Sequence, residues 1–231
     1  MKYLKRVADN VLQERLEAFG AVLVEGPKWC GKTTTSEQIA KSVIKLQDTD
    51  MREEYLAAAA RKPSILLQGS TPRLIDEWQD APVLWDAVRT TVDHRGMPGQ
   101  FILTGSNAVD NKAILHTGTG RISRIQMHTM SLWESGESNG KISLMQLFDD
   151  SSLDIDGITS DMQIEDIVFA ACRGGWPAAL NLRSDKAKLL IARDYAEGVC
   201  KVDISKVDMG YSVTFVWPEC FCAVMLATYR H

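Results

Sequence analysis

Apolar residues in the first 130 positions of this chain form two kinds of block. Ala21-Val22-Leu23-Val24-Glu25 and Gln100-Phe101-Ile102-Leu103-Thr104-Gly105-Ser106 are short continuous runs, the pattern of parallel strands buried on both faces. Tyr3, Leu4, Val7, Val11, Leu12, Leu16 and Phe19 recur instead at helical spacing, which predicts an amphipathic helix over residues 3 to 19, closed by Gly20. Between these lie a predicted helix from Thr33 to Ser42, a strand around Ser42 to Leu46, and a crossover helix from near Thr49. An apolar strand, Arg73 to Asp76, and a helix from Val83 to Val92 follow. After Ser106 a helix over Val109 to Thr117 is broken by Gly118-Thr119-Gly120, and Arg121 to Met130 alternates like a strand. The order β-α-β-α-β-α-β-α-β predicts a three-layer α/β domain on a parallel sheet.

The pattern changes in the second half. From about Ser135 to Asp161 the chain is rich in Ser, Gly and Asp, with only Ile142 to Phe148 strongly apolar, the signature of a loop-rich boundary. Ile164 to Cys172 and Lys186 to Val199 then read as helices, separated by the turn Arg173-Gly174-Gly175-Trp176-Pro177. The expected organisation is an α/β domain over 1–134, a boundary over 135–161 and a mainly helical second unit over 162–231.

Composition narrows this a little. With 45% apolar and 24% charged residues, 231 residues make an ordinary globular chain with one good core and part of a second. The net charge of −4 gives no whole-chain basic field for nucleic acid, so such a partner is unsupported by charge. Lys2-Tyr3-Leu4-Lys5-Arg6 and the pair Arg121/Arg124 are the local basic candidates, and each reads as solvated surface. The N-terminus lacks the apolar core of a secretory signal, and no run of about 20 apolar residues predicts a membrane span. Five cysteines without a C-x-x-C pair point to a reducing cytoplasm. Cys220-x-Cys222 with His231 has the wrong spacing for a zinc knuckle.

The chemistry is concentrated after the first strand. Gly26-Pro27-Lys28-Trp29-Cys30-Gly31-Lys32-Thr33 fits G-x-x-x-x-G-K-[ST], the phosphate-binding P-loop, in the strand-loop-helix setting the motif requires. Gly26 and Gly31 let the backbone turn its N–H groups inward around phosphate oxygens, and the helix that follows adds its own N–H groups. Lys32 neutralises β- and γ-phosphate charge, and the Thr33 hydroxyl, with Thr34 beside it, lies where it can reach Mg²⁺. Cys30 inside the loop reads as a packing residue whose thiolate, if partly exposed, is open to oxidation or alkylation.

Two further segments fit the same site. Arg73-Leu74-Ile75-Asp76-Glu77-Trp78 has the form of a Walker B strand, with Asp76 for the metal and Glu77 to polarise attacking water. The 43 residues between Lys32 and Asp76 suffice for a helix, a strand and a crossover helix. Thr104 and Ser106, closing the 100–106 strand, reach the same edge, where hydroxyls can sense the γ-phosphate or orient water.

On these residues the chain resembles a family of prokaryotic AAA+-type P-loop ATPases that carry a C-terminal domain of unknown function. The segments carrying the resemblance are VLVEGPKWCGKTTT, LIDEWQDAPVLWDAVR, FILTGS, TGRISRIQMHTMSLWES and RGGWPAAL, together spanning about residues 3 to 205. The resemblance implies ATP and Mg²⁺, Asp76 and Glu77 as Walker B acids, and a sensor within Thr104 to Ser106. It also nominates Arg121 as an arginine finger, with Arg124 as fallback, which acts across a subunit interface and so implies a ring or dimer. Members of that family continue well beyond this length, and the final stretch MGYSVTFVWPECFCAVMLATYRH departs from the preceding pattern. A truncation or frame shift is the expectation there.

Two functions remain open on sequence: a Mg²⁺-dependent ATPase driving movement of a second domain or partner, and a nucleotide-gated switch with little turnover. A GTPase is disfavoured, since Asn111-Lys112 continues to Ala113-Ile114 and no N-K-x-D follows the strands.

Overall fold

The computed structural model describes residues 3–105, 116–150, 152 and 154–199. These fall into two compact units, Lys5–His128 and the residues from Thr129 onward together with those before Lys5.

The first unit is built on five strands, β1 (Ala21–Glu25), β2 (Ser42–Lys45), β3 (Arg73–Asp76), β4 (Phe101–Gly105) and β5 (Ile122–Gln126). They lie in the order β2-β3-β4-β1-β5, and every neighbouring pair is parallel. Four helices flank them: α1 (Val7–Ala18), α2 (Lys32–Glu37), α3 (Arg52–Arg61) and α4 (Val83–Arg95). Side-chain alternation along the strands assigns the layers. Ala21 and Leu23 of β1 join Ile75, Phe101 and Leu103 in a core closed by Leu84, Trp85 and Val88 of α4 and Ala59 of α3. Val22 and Val24 face the other way, with Leu74, Ile102 and Ile125, against Leu12 and Leu16 of α1. The sheet is therefore covered on both faces, which is why its strands read as unbroken apolar runs.

Several boundaries differ from those predicted. The first helix starts at Val7 rather than residue 3, because Arg6 stays extended and its N–H bonds to Asp9 Oδ2 at 2.8 Å. α2 ends at Glu37, well short of Ser42. Its Thr33-Thr34-Thr35-Ser36 run lacks good helix formers, and Gln38 and Ile39 take tight bonds to the carbonyls three residues back, at 3.2 Å each. The strand anticipated over Arg121 to Met130 narrows to β5. The helix anticipated over Val109 to Thr117 lies mostly outside the described residues.

The second unit carries α5 (Leu144–Asp149), α6 (Ile164–Arg173), α7 (Pro177–Leu180) and α8 (Asp185–Gly198). α5 occupies the one apolar stretch of the loop-rich segment. The Arg173 to Pro177 turn has a clear physical basis. Arg173 is buried and grips Glu137 with two bonds of 2.7 and 2.8 Å, which hold the Glu137 carboxyl below its ordinary range. Gly175 packs so closely that a Cβ would lie 2.1 Å from Met130 O.

Leu103 sits at the centre of the sheet, fully buried. Leu103→Ala is expected to cost about 2–5 kcal/mol by removing core contacts, whereas Val83→Ala at the exposed start of α4 should stay within about 0.5 kcal/mol. Urea unfolding followed by tryptophan fluorescence measures both, and similar midpoint shifts would contradict the core assignment.

Candidate functional site

All five strands run the same way, so their carboxyl ends share one edge, and the segments leaving β1, β3 and β4 meet there. The 26–33 loop leaves β1 directly. Gly26 is buried where a Cβ would come 2.2 Å from Met127 O, so the loop can turn against the end of β5 only without a side chain. Gly31 holds φ +103°, open to glycine and strained for other residues, and passes the chain into α2. Lys28, Trp29 and Thr34 are exposed, Pro27 is half-buried, and Trp29 also takes a positive φ of 63°. Lys32 is buried, its ammonium donating to the Gly26 and Pro27 carbonyls at 3.0 Å each. Its charge is thereby held inside the turn of the loop.

The β3 and β4 ends complete the arrangement. Thr33 Oγ1 donates to Asp76 Oδ1 at 2.7 Å, and Thr104 Oγ1 donates to the same oxygen at 2.5 Å. Glu77 N–H in turn donates to Thr104 Oγ1 at 3.3 Å. Glu77 itself is left-handed, φ 56° and ψ 50°, a conformation costing a non-glycine residue about 1–2 kcal/mol. The turn lifts its side chain off the strand line, and Gln79 Nε2 donates to Glu77 Oε2. Five residues from three separated segments thus form one hydrogen-bonded chain. Ser106 falls outside the described residues.

The donor set suits a hard, oxygen-seeking dication. A hydroxyl and a carboxylate side by side supply the one or two protein oxygens Mg²⁺ takes when phosphates provide the rest. No cluster of three His, Cys, Asp or Glu occurs among the described residues, so no all-protein metal cage competes with this reading there.

Cys30 and Arg6 show how the loop is braced. Cys30 is fully buried, and burial pushes its thiol up from the ordinary value despite the nearby Lys32 and Arg6 charges. It is a packing residue, and the partly exposed thiolate considered from sequence is not present. Arg6, predicted as solvated surface or a basic patch, is buried: Nη1 donates to Cys30 O at 2.8 Å and Nη2 to His128 O at 2.9 Å. The guanidinium ties the loop to the segment after β5. No sequence signal distinguishes it from its neighbour Lys5.

Arg121 is not brought to this edge. It precedes β5 at the opposite, amino-terminal edge, where its guanidinium donates to Asp93 Oδ1 of α4 at 2.8 Å. Arg124 pairs with Glu25 at 3.1 Å and lies over the Trp85 ring. The charges of this basic pair are therefore compensated locally.

A parallel sheet with this loop after β1, beside the central β4, and a Thr–Asp–Thr hydrogen-bond cluster at its carboxyl edge, defines a P-loop nucleotide-binding protein. The chain belongs to the AAA domain family, whose profile matches residues 18–135; it is thus an AAA+-type P-loop protein of nucleotide-binding, ATPase-like class. Two uncharacterised mycobacterial proteins, from Mycobacterium bovis and Mycobacterium tuberculosis, are each 29% identical over 136 residues. The match covers 58% of this chain and 31% of each relative, so the chain spans about a third of their length. Among solved structures, a Walker-type ATPase of Pyrococcus abyssi is 13% identical at TM-score 0.47, over 88% of this chain and 75% of that one. The FIGL-1 AAA domain in complex with ADP is 12% identical at TM-score 0.42, over 94% and 85%. Both are too distant to carry an argument about this chain. No helix among the described residues is long and apolar enough to cross a membrane.

Two outcomes test the geometry of the loop. Gly26→Ala forces Cβ against Met127 O, an overpacking of about 1–3 kcal/mol, and should both lower the unfolding midpoint and weaken nucleotide affinity about tenfold. Iodoacetamide at pH 8 should label Cys30 about tenfold more slowly in the folded protein than in urea; equal rates by peptide mass spectrometry would place the thiol at the surface.

Proposed function

We propose that this chain binds ATP with Mg²⁺ and hydrolyses it, coupling turnover to movement of its second unit or of a partner. The observation that carries the reading is the hydrogen-bonded chain Thr33–Asp76–Thr104–Glu77, which links the loop to an acid one residue beyond the metal-side carboxylate.

The residues divide the work by chemistry. The loop from Gly26 to Thr34 wraps the phosphates with backbone N–H groups, and Lys32 neutralises the β- and γ-phosphate charge. Thr33 and Asp76 would hold Mg²⁺, which would supply positive charge to offset the negative charge of the transferring phosphoryl group. Glu77 accepts a proton from water as its oxygen bonds to the γ-phosphorus; the bond to the β–γ bridging oxygen breaks, and ADP and phosphate leave. Thr104 fixes Asp76 and the Glu77 backbone together, so a sensing hydroxyl at that point reports on both. Arg121, facing away from its own site and exposed, remains a candidate finger for the site of a second copy, which requires a homo-oligomer. The cytoplasm is the compartment favoured by this chemistry and by the free thiols of Cys30 and Cys172.

Glu77→Gln keeps the shape and hydrogen bonding of the side chain while removing the base. It should retain ATP binding and lose about 10²-fold or more in turnover, while Lys32→Ala should lose binding itself. Phosphate release measured beside nucleotide binding distinguishes the outcomes, and wild-type turnover in Glu77→Gln would refute the role assigned to that acid. Binding without turnover in the wild-type chain would make it a nucleotide switch instead.

A further inference from the structure

Gln79 lies in the short turn Trp78–Asp80, two residues beyond Glu77, and its amide nitrogen donates to Glu77 Oε2. A carboxylate only accepts, so the amide has one sensible orientation: Nε2 toward Glu77 and Oε1 away from it. Oε1 then points at the end of β4, where Gly105 has no side chain. A Cβ at Gly105 would come 2.7 Å from Gln79 Oε1 and 3.0 Å from Trp78 Nε1. Both of those atoms are buried without a hydrogen-bond partner among the described residues. Burying an unpaired amide oxygen is costly, and an apolar side chain would fill the same space without that cost. The half of Gln79 that is satisfied is the half that touches Glu77.

Glu77 is thereby anchored at two points. Its left-handed backbone is fixed through the N–H to Thr104, and its carboxylate through Gln79. Without the second anchor the carboxylate is free to rotate about its own side-chain torsions, in a residue whose task is to meet a water at one position.

We propose that Gln79 is a positioning residue for the Glu77 carboxylate, and that Gly105 makes the room it occupies. The inference rests on the reading of Glu77 as the water-polarising acid. It assigns to Gln79 a part in the rate of turnover and none in nucleotide affinity.

The test uses the full chain with ATP and Mg²⁺, comparing Gln79→Glu, Glu77→Gln and the double variant by single-turnover rate, ATP dissociation constant and melting temperature. Gln79→Glu keeps the size of the side chain but replaces the donor by a like charge. It should slow turnover about ten- to hundredfold, leave the dissociation constant unchanged and lower the melting temperature. In the double variant the pair re-forms with donor and acceptor exchanged. The melting temperature should recover while turnover stays as slow as in Glu77→Gln, which shows that the two side chains pair; the slowed turnover of Gln79→Glu at an unchanged dissociation constant is the change that a purely structural glutamine would not produce. Wild-type or faster turnover in Gln79→Glu, with Glu77→Gln inactive, overturns the positioning role and leaves the reading of Glu77 standing. Wild-type turnover in Glu77→Gln overturns both. Where Gln79→Glu fails to fold, Gly105→Ala, whose new Cβ displaces Gln79, decides on the same criteria.

Discussion

Asp76 Oδ1 is the point on which the site depends. It accepts hydrogen bonds from Thr33 at the loop and from Thr104 on β4, and so joins segments that leave three different strands. A carboxylate oxygen can do this because it carries two lone pairs and no proton. The sheet order makes it possible, since β4 lies between β1 and β3 and sets Thr104 between the loop and the acid. Each hydroxyl restrains the carboxylate, and the carboxylate restrains the entry into α2. Glu77, next along the chain, inherits its place from the same cluster.

The loop itself is held from behind. Gly26 fits beneath Met127 O because it has no side chain, Cys30 fills the apolar space under the turn, and the buried Arg6 guanidinium bonds to carbonyls on both sides of that contact. The loop backbone is thus braced on its core side, with Lys28 and Trp29 exposed. That asymmetry suits the proposed phosphate cradle, because N–H groups aimed in advance need no rearrangement to meet an anion. The strain at Glu77 has a parallel logic: a left-handed residue at the end of β3 carries the acid off the strand line, and the surrounding bonds hold it there.

Much of this was readable in advance where local chemistry decides the outcome. The unbroken apolar runs of β1 and β4, the G-x-x-x-x-G-K-T spacing and the acids closing β3 each carry their own signal. Expectation and structure differ where competing local forces are close in strength. α2 ends earlier than the sequence pattern predicts because its hydroxyl-rich turn gives periodicity no clear end. The N-terminal helix starts later than the pattern predicts because Tyr3 and Leu4 continue an apolar rhythm that Arg6 interrupts. Arg6 was missed because burying a guanidinium requires carbonyl partners at residues 30 and 128, which no local pattern announces.

The sequence by itself determined the class of the protein: a parallel α/β sheet, a phosphate loop on its first strand and two adjacent acids on its third. These follow from hydrophobic period, glycine placement and residue spacing, all properties of neighbouring positions. Only the tertiary structure decided which strand separates the loop from the acids, which oxygen gathers the hydroxyls, and which glutamine meets Glu77. It also set Arg121 at the far edge of the sheet, paired with Asp93. The physical reason is that strand order and hydrogen-bond partners depend on packing between segments tens of residues apart, where many pairings satisfy the same local pattern and burial selects one of them.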